Sequence, residues 1–142
     1  MNLGIVGSEA AKFTPETEQA ARNMIVDLVL RERPTAVVSG GCHLGGIDIW
    51  AAEEAVTAGI DTIICLPEVR AWSGYKARNI RIAEISDVVY CITVKFLPEN
   101  YTGMRFKLCY HCGVDTHVKS GGCWTTKYAR SIGKPGHTLV IE

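Results

Sequence analysis

The sequence predicts a doubly wound α/β fold: a parallel sheet of about five strands, helices on both faces, and a small metal-binding loop inserted late in the chain. Two observations lead there. Apolar runs of strand length alternate with segments of helical period along the chain. The runs are also nearly continuous, rather than alternating apolar with polar, as burial on both faces of a parallel sheet requires.

Leu3-Gly-Ile-Val6 is the first strand, ended by Gly7-Ser8. Thr14-Pro15 then supplies an N-cap and a proline at the first helical position. Ala20, Ala21, Met24, Ile25, Leu28 and Val29 recur at three and four on one helical face, and Pro34 closes that helix. Thr35-Ala-Val-Val-Ser39 is the second strand, ended by Gly40-Gly41. Gly45-Gly46 opens a second helix from Ile47 to about Ala58, stopped by Gly59. Asp61-Thr-Ile-Ile-Cys-Leu66 is the third strand, ended by Pro67. A third helix reads from Ala77 to Ile85 and a fourth strand from Asp87 to Thr93. Trp124 to Ile132 reads as a fourth helix stopped by Gly133, and His137 to Ile141 as the fifth strand. The pattern makes 1–142 one Rossmann-like domain, with the aperiodic stretch 95–123 as its only insertion.

Within that insertion Cys109, Cys112, His117 and Cys123 read Cys-x2-Cys-x4-His-x5-Cys. Three soft thiolates and one imidazole are what a closed tetrahedral zinc site needs, so a structural Zn2+ is expected. The last gap is one residue longer than in the zinc-knuckle pattern that the motif resembles. Two alternatives stand beside this set. Cys123 could serve the glycine turn while another group completes the shell, and His111 could replace His117, though adjacent Cys112 leaves His111 little room to reach the same ion.

Composition limits the function. With 15 basic and 15 acidic residues the formal net charge is zero, which argues against a domain-wide grip on nucleic acid. No apolar run is long enough to span a bilayer, so no membrane partner is expected. The opening Met1-Asn-Leu-Gly-Ile-Val-Gly7 runs straight into a strand with no basic leader. Six cysteines in that context point to a reducing, cytoplasmic setting, hence to metal or buried thiols rather than disulfides. Cys65 and Cys91 lie inside apolar runs and read as small buried hydrophobes.

In parallel sheets ligands bind outside the carboxyl ends of the strands, where the strand order switches. Four segments fall at that edge: Gly7-Ser8-Glu9, the run from Ser39 to Gly46, Pro67 to Asn79, and Ser120-Gly-Gly-Cys-Trp-Thr-Thr126. Glycines there let backbone N–H groups approach a phosphate. The ligand-binding candidates are Gly7, Ser8, Ser39, Gly40, Gly41, Arg78, Asn79, Gly121, Gly122 and Thr125. Arg78 and Asn79 open the expected third helix, where a guanidinium could clamp phosphate beside the helix's positive end. Asp48 could favour its helix terminus or take a ribose hydroxyl. Glu9 could act as acid or base, or only favour the next helix. His43 reads as a solvated loop residue. Among the tryptophans, Trp72 and Trp124 lie in edge segments where a base could stack, and Trp50 reads as core.

Val38-Ser-Gly-Gly41, Gly46-Ile-Asp48, Ala51-Ala52, Ala55 and Gly59 together resemble the second strand–helix unit of the SLOG superfamily. The resemblance continues in Pro67, Trp72, Gly74-Tyr-Lys76, Arg78-Asn79, Ile82, Ser86-Asp87, Gly121-Gly122, Thr125, Ala129 and Gly133-Lys-Pro135. It covers nearly all of the chain except 95–119, and the Trp, Gly, Arg-Asn order is most similar to the YspA-like branch. It implies a Rossmann-like fold that binds a nucleotide or nucleotide-derived ligand. Related domains commonly pair, so a homo-oligomer is among the partners it allows. The LOG branch of the superfamily hydrolyses the N-glycosidic bond of nucleoside 5′-monophosphates through a Pro-Gly-Gly-x-Gly-Thr-x-x-Glu turn. Here Tyr128 stands at the Glu and Trp124 at a Gly. A tyrosine of ordinary pKa, near 10, cannot do a carboxylate's work. The sequence therefore favours binding, for sensing or sequestration, over turnover. The hydrolase is the alternative, with Glu9 and Asp48 as its candidate catalytic carboxylates. DprA-like handling of single-stranded DNA calls for a basic groove that a neutral chain does not advertise.

Overall fold

A computed structural model describes all 142 residues. Its five strands are β1 (Asn2–Gly7), β2 (Ala36–Ser39), β3 (Asp61–Ile64), β4 (Val88–Val94) and β5 (Gly136–Ile141). They form one parallel sheet in the order β3-β2-β1-β4-β5. The helices are α1 (Pro15–Glu32), α2 (Ile47–Thr57), α3 (Trp72–Ile85) and α4 (Gly122–Ser131). Each follows one strand and returns the chain to the next, as parallel pairing requires.

Alternation along the strands splits the core in two. Leu3, Ile5, Val37, Tyr90, Ile92 and Val94 pack against Ile25 and Leu28 of α1 and Trp50 and Ala51 of α2. Val6, Val38, Val89 and Cys91 pack on the other face against Ile82 and Ala83 of α3 and Cys123 and Ala129 of α4. Cys65 and Cys91 are buried, as their apolar surroundings suggested. Trp50 meets Phe13 edge-on at 4.9 Å in the first of these cores. The start of α1 is fixed locally: Thr14 accepts a hydrogen bond from the Thr17 backbone N–H, Thr17 Oγ1 accepts one from Thr14, and Pro15 opens the helix.

Three expectations are corrected. β3 is not buried on both faces, because it ends the sheet: Ile64 is 40% exposed and Leu66, just beyond it, 58%. The third helix begins at Trp72, not Ala77. Arg78 and Asn79 therefore lie in its second turn, past the N–H groups that carry the positive end of the helix dipole. The fourth helix also starts earlier, at Gly122, which puts Cys123 in its first turn.

Candidate functional site

The strand order reverses between β1 and β4, and a cavity of 670 Å³ opens at their carboxyl ends. The backbones meet closely there. A side-chain carbon on Gly7 would lie 2.1 Å from the Ile92 carbonyl oxygen, and one on Gly122 would lie 3.0 Å from the Gly7 nitrogen. These two glycines bring the first turn of α4 against the end of β1.

The sequence-expected residues divide on this geometry. Gly7, Ser8, Glu9, Gly41, Asp48, Arg78, Asn79, Gly121, Gly122 and Thr125 line the cavity, and so do His43, Trp72 and Trp124. Ser39 and Gly40 do not. Ser8 is committed elsewhere: its N–H donates to the Ile92 carbonyl at 3.1 Å, and its hydroxyl lies 2.8 Å from that of Thr93. Arg78 is committed too. Its guanidinium donates to the Gly40 carbonyl (2.6 Å) and to Asn79 Oδ1 (2.8 Å), and lies 4.0 Å from Asp48. Thr125 is buried, with a hydroxyl that has no hydrogen-bond partner. Tyr128 does not line the cavity; it stacks on Trp124 with the rings 5.4 Å apart and 4° from parallel.

Several lining residues were not among the ligand-binding candidates of the sequence reading, although Arg70 and Tyr75 fall in its Pro67 to Asn79 segment. They are Lys12, Arg70, Tyr75, Tyr110 and Lys119. Lys12, in a single 3-10 turn after β1, donates to the Lys119 carbonyl at 2.7 Å. With them the charged lining comes to four cations, Lys12, Arg70, Arg78 and Lys119, against the two carboxylates Glu9 and Asp48. A chain of zero net charge thus has a cationic cavity with aromatic walls, in which Trp72 and Trp124 meet edge-on at 5.5 Å.

Burial pushes the Asp48 carboxyl up to about 6 from its ordinary 3.8, although Arg78 and the Cys42 backbone N–H pull it down. The folded chain thus holds this proton more tightly than the unfolded one does. The stability it contributes is complete below about pH 4 and is lost as pH rises through about 6. The expected loss is on the order of 2–3 kcal/mol. The stability difference between wild type and Asp48→Asn, from urea unfolding at pH 4.5 and 7.5, is expected to shift against the wild type by that order.

Cys109, Cys112, His117 and Cys123 converge beside the cavity, their ligand atoms all within 4.8 Å of one another. A tight turn presents the first two: Gly113 N–H donates to the Cys109 carbonyl (2.8 Å) and Cys109 N–H to that of Val114 (2.9 Å). Gly113 takes φ +70°, which other residues rarely adopt. His117 is oriented from outside the cluster. Its Nδ1 lies 2.8 Å from the Val118 carbonyl, which can only accept, so the proton is on Nδ1 and Nε2 is left to bind. Burial raises the Cys109 thiol, but the surrounding N–H groups of Ser120, Cys112 and His111 outweigh it and hold the thiol below its ordinary value. Cys112 is raised to about 12 by burial and by its neighbour Cys123. Contact with Cys91 and burial raise Cys123. Three crowded sulfurs with an oriented imidazole are a donor set that fits a divalent cation, which would stabilise all three as thiolates. His111 stands outside this cluster and lines the cavity instead.

No protein-family model and no curated protein matches the chain. Two solved structures share its fold. The molybdenum cofactor carrier protein MCP from Chlamydomonas reinhardtii aligns with a TM-score of 0.63 at 19% identity, over 99% of this chain and 77% of that one. DNA processing protein A (DprA) from Streptococcus pneumoniae aligns with a TM-score of 0.61 at 17% identity, over 96% of this chain and 49% of that one. At these identities the likeness is one of fold. The chain spans about half the length of the DprA structure. None of its helices is long and apolar enough to cross a membrane.

Proposed function

We propose that this protein binds a nucleotide or nucleotide-derived ligand at the β1/β4 crevice, for sensing or sequestration, and that a structural Zn2+ holds the wall of the site. The observation that carries the reading is the cavity itself, cationic and aromatic-walled in a chain of zero net charge. Gly7, Gly41, Gly121 and Gly122 supply close backbone approach, and Thr125 an unpartnered hydroxyl beside the α4 terminus. Trp72 and Trp124 offer faces for a base. We assign Arg78 to holding Gly40 and Asp48 in place, because its Nη1 donates to the Gly40 carbonyl and lies 4.0 Å from Asp48. The order Trp72, Gly74, Arg78-Asn79 we read as that of the YspA-like branch. MCP, a cofactor carrier protein of the same fold, agrees with binding rather than turnover.

The metal is read as Zn2+ from its ligands. Three thiolates and one imidazole fill a tetrahedron and leave no position for a catalytic water. Elemental analysis should find about one zinc per chain on that four-ligand arrangement. Full zinc affinity in Cys123→Ser would instead assign the fourth position to another group.

Calorimetric titration with the common nucleoside monophosphates is expected to give saturable binding, and chromatography of the mixtures to give no free base. Absence of binding across the panel would sink the reading. Base release that disappears in Glu9→Gln or Asp48→Asn would replace it with the N-glycoside hydrolase. The raised Asp48 carboxyl at the cavity wall is the observation that keeps this second reading in view.

A further inference from the structure

We propose that the metal loop supplies half of an anion clamp. Lys119, carried by the loop, and Lys12, from the turn after β1, close together on the phosphate of the ligand over the first turn of α4. This rests on the proposed binding of a nucleotide-type ligand and adds which residues grip it and what governs the grip.

Four observations carry it. Both lysines line the cavity, and neither pairs with a carboxylate. They are held as a unit, since the Lys12 ammonium donates to the Lys119 carbonyl. The Lys119 ammonium is placed by the loop's own rings, 5.5 Å from the Tyr110 centroid and 5.7 Å from that of Phe106. Between the lysines and the sheet, α4 begins with Gly121 and Gly122 on the cavity wall, and buried Thr125 has no hydrogen-bond partner. The two ammonium groups repel each other, the Glu9 carboxylate offsets part of this without pairing with either, and a dianionic phosphate relieves the rest. Arg78, the other deep cation, already has its partners.

The loop position of Lys119 makes the clamp conditional. Lys119 lies two residues beyond His117, and the loop has no helix or strand of its own between Val94 and Gly122. Besides Lys12 and the loop's own rings, its placement depends on the metal cluster and on one backbone bond, from Val118 N–H to the Val94 carbonyl at 3.0 Å. Metal and anion therefore stabilise the same loop arrangement, and each raises affinity for the other.

The test uses ribose 5-phosphate, which is common to nucleotides of every base, against ribose, titrated by NMR into the metal-replete full chain. The sugar phosphate is expected to bind and ribose not. Lys12→Met and Lys119→Met are each expected to weaken binding by about tenfold or more, as for other charge-assisted hydrogen bonds. Lys119→Arg should retain binding, and Lys127→Met, exposed on α4 outside the cavity, should behave as wild type. Chelator-stripped protein should lose binding to the same degree as Lys119→Met, with little further loss when the two are combined. Unchanged affinity in Lys119→Met or in stripped protein overturns the clamp, and so does wild type that ignores the sugar phosphate. In any of these cases saturable binding in the nucleoside monophosphate panel would leave the binding reading standing, whereas a panel without binders removes that reading as well.

Discussion

Stripping the metal is expected to unfold the loop and to leave the sheet intact. Between Val94 and Gly122 the chain forms no helix and no strand beyond an isolated bridge at Cys109 and Val114. Its large apolar side chains face outward: Phe96 is 69% exposed and Met104 72%. On the proposed reading the main tie on this segment is the cluster of Cys109, Cys112, His117 and Cys123, two of whose residues are buried in the core beneath α4. In isolated zinc-finger peptides metal binding supplies about 10–16 kcal/mol near neutral pH, nearly all of it as folding free energy. Chelation at pH 7 should therefore open the loop to trypsin at Arg105, Lys107 and Lys119, while Arg22 and Arg31 of α1 remain protected. The melting temperature should fall by on the order of 10 °C, as about 3 kcal/mol of core support under α4 is lost. Cys109→Ser should reproduce both effects, because Cys109 is the thiol that the surrounding N–H groups already favour as thiolate. Chelated protein with an unchanged cleavage pattern would show that the loop folds without metal.

Arg78→Met is the second large effect, and it falls on stability. Asp48 is nearly buried and Arg78 is the only cation paired with it. Removing the guanidinium leaves a buried carboxylate uncompensated, and also frees the Gly40 carbonyl and Asn79 Oδ1. Loss of one partner of a buried pair costs about 3–5 kcal/mol. The cost depends on pH. Asp48 already titrates near 6 with Arg78 pulling it down, so without Arg78 it titrates higher still. At pH 5 the carboxyl is protonated in both proteins and the loss shrinks to that of the hydrogen bonds. Above pH 7 the full penalty appears, because the carboxyl must ionise in burial or take up a proton. Urea unfolding at the two pH values reads the difference directly. Equal destabilisation at both would mean that Arg78 does not neutralise Asp48.

Most of the frame was legible in the sequence because its causes are local. Thr14-Pro15 caps a helix wherever it occurs, and Gly59 and Gly133 stop helices by taking positive φ. The metal quartet was legible because ligand type and spacing are chemical constraints, and the structure brings all four together. The start of α3 was not, since Trp72-Ser-Gly-Tyr-Lys76 has no apolar period. Gly74 looks like a break there, yet its lack of a side chain is what lets the Val69 carbonyl approach, within 2.1 Å of where a Cβ would lie. That misplaced start made Arg78 look like a terminal clamp. The exposure of β3 follows from strand order, which no local run of residues specifies. Lys12 and Lys119 were invisible for a similar reason: 107 residues separate them, and only the finished fold closes that distance.

Native mass spectrometry of freshly purified protein tests the central claim most directly, because it weighs metal and ligand on the same ion. The account predicts one zinc per chain and a phosphate-bearing small molecule that leaves on denaturation. A chain that flies without metal, carries no small molecule and takes up none of the nucleotides offered to it would contradict the account.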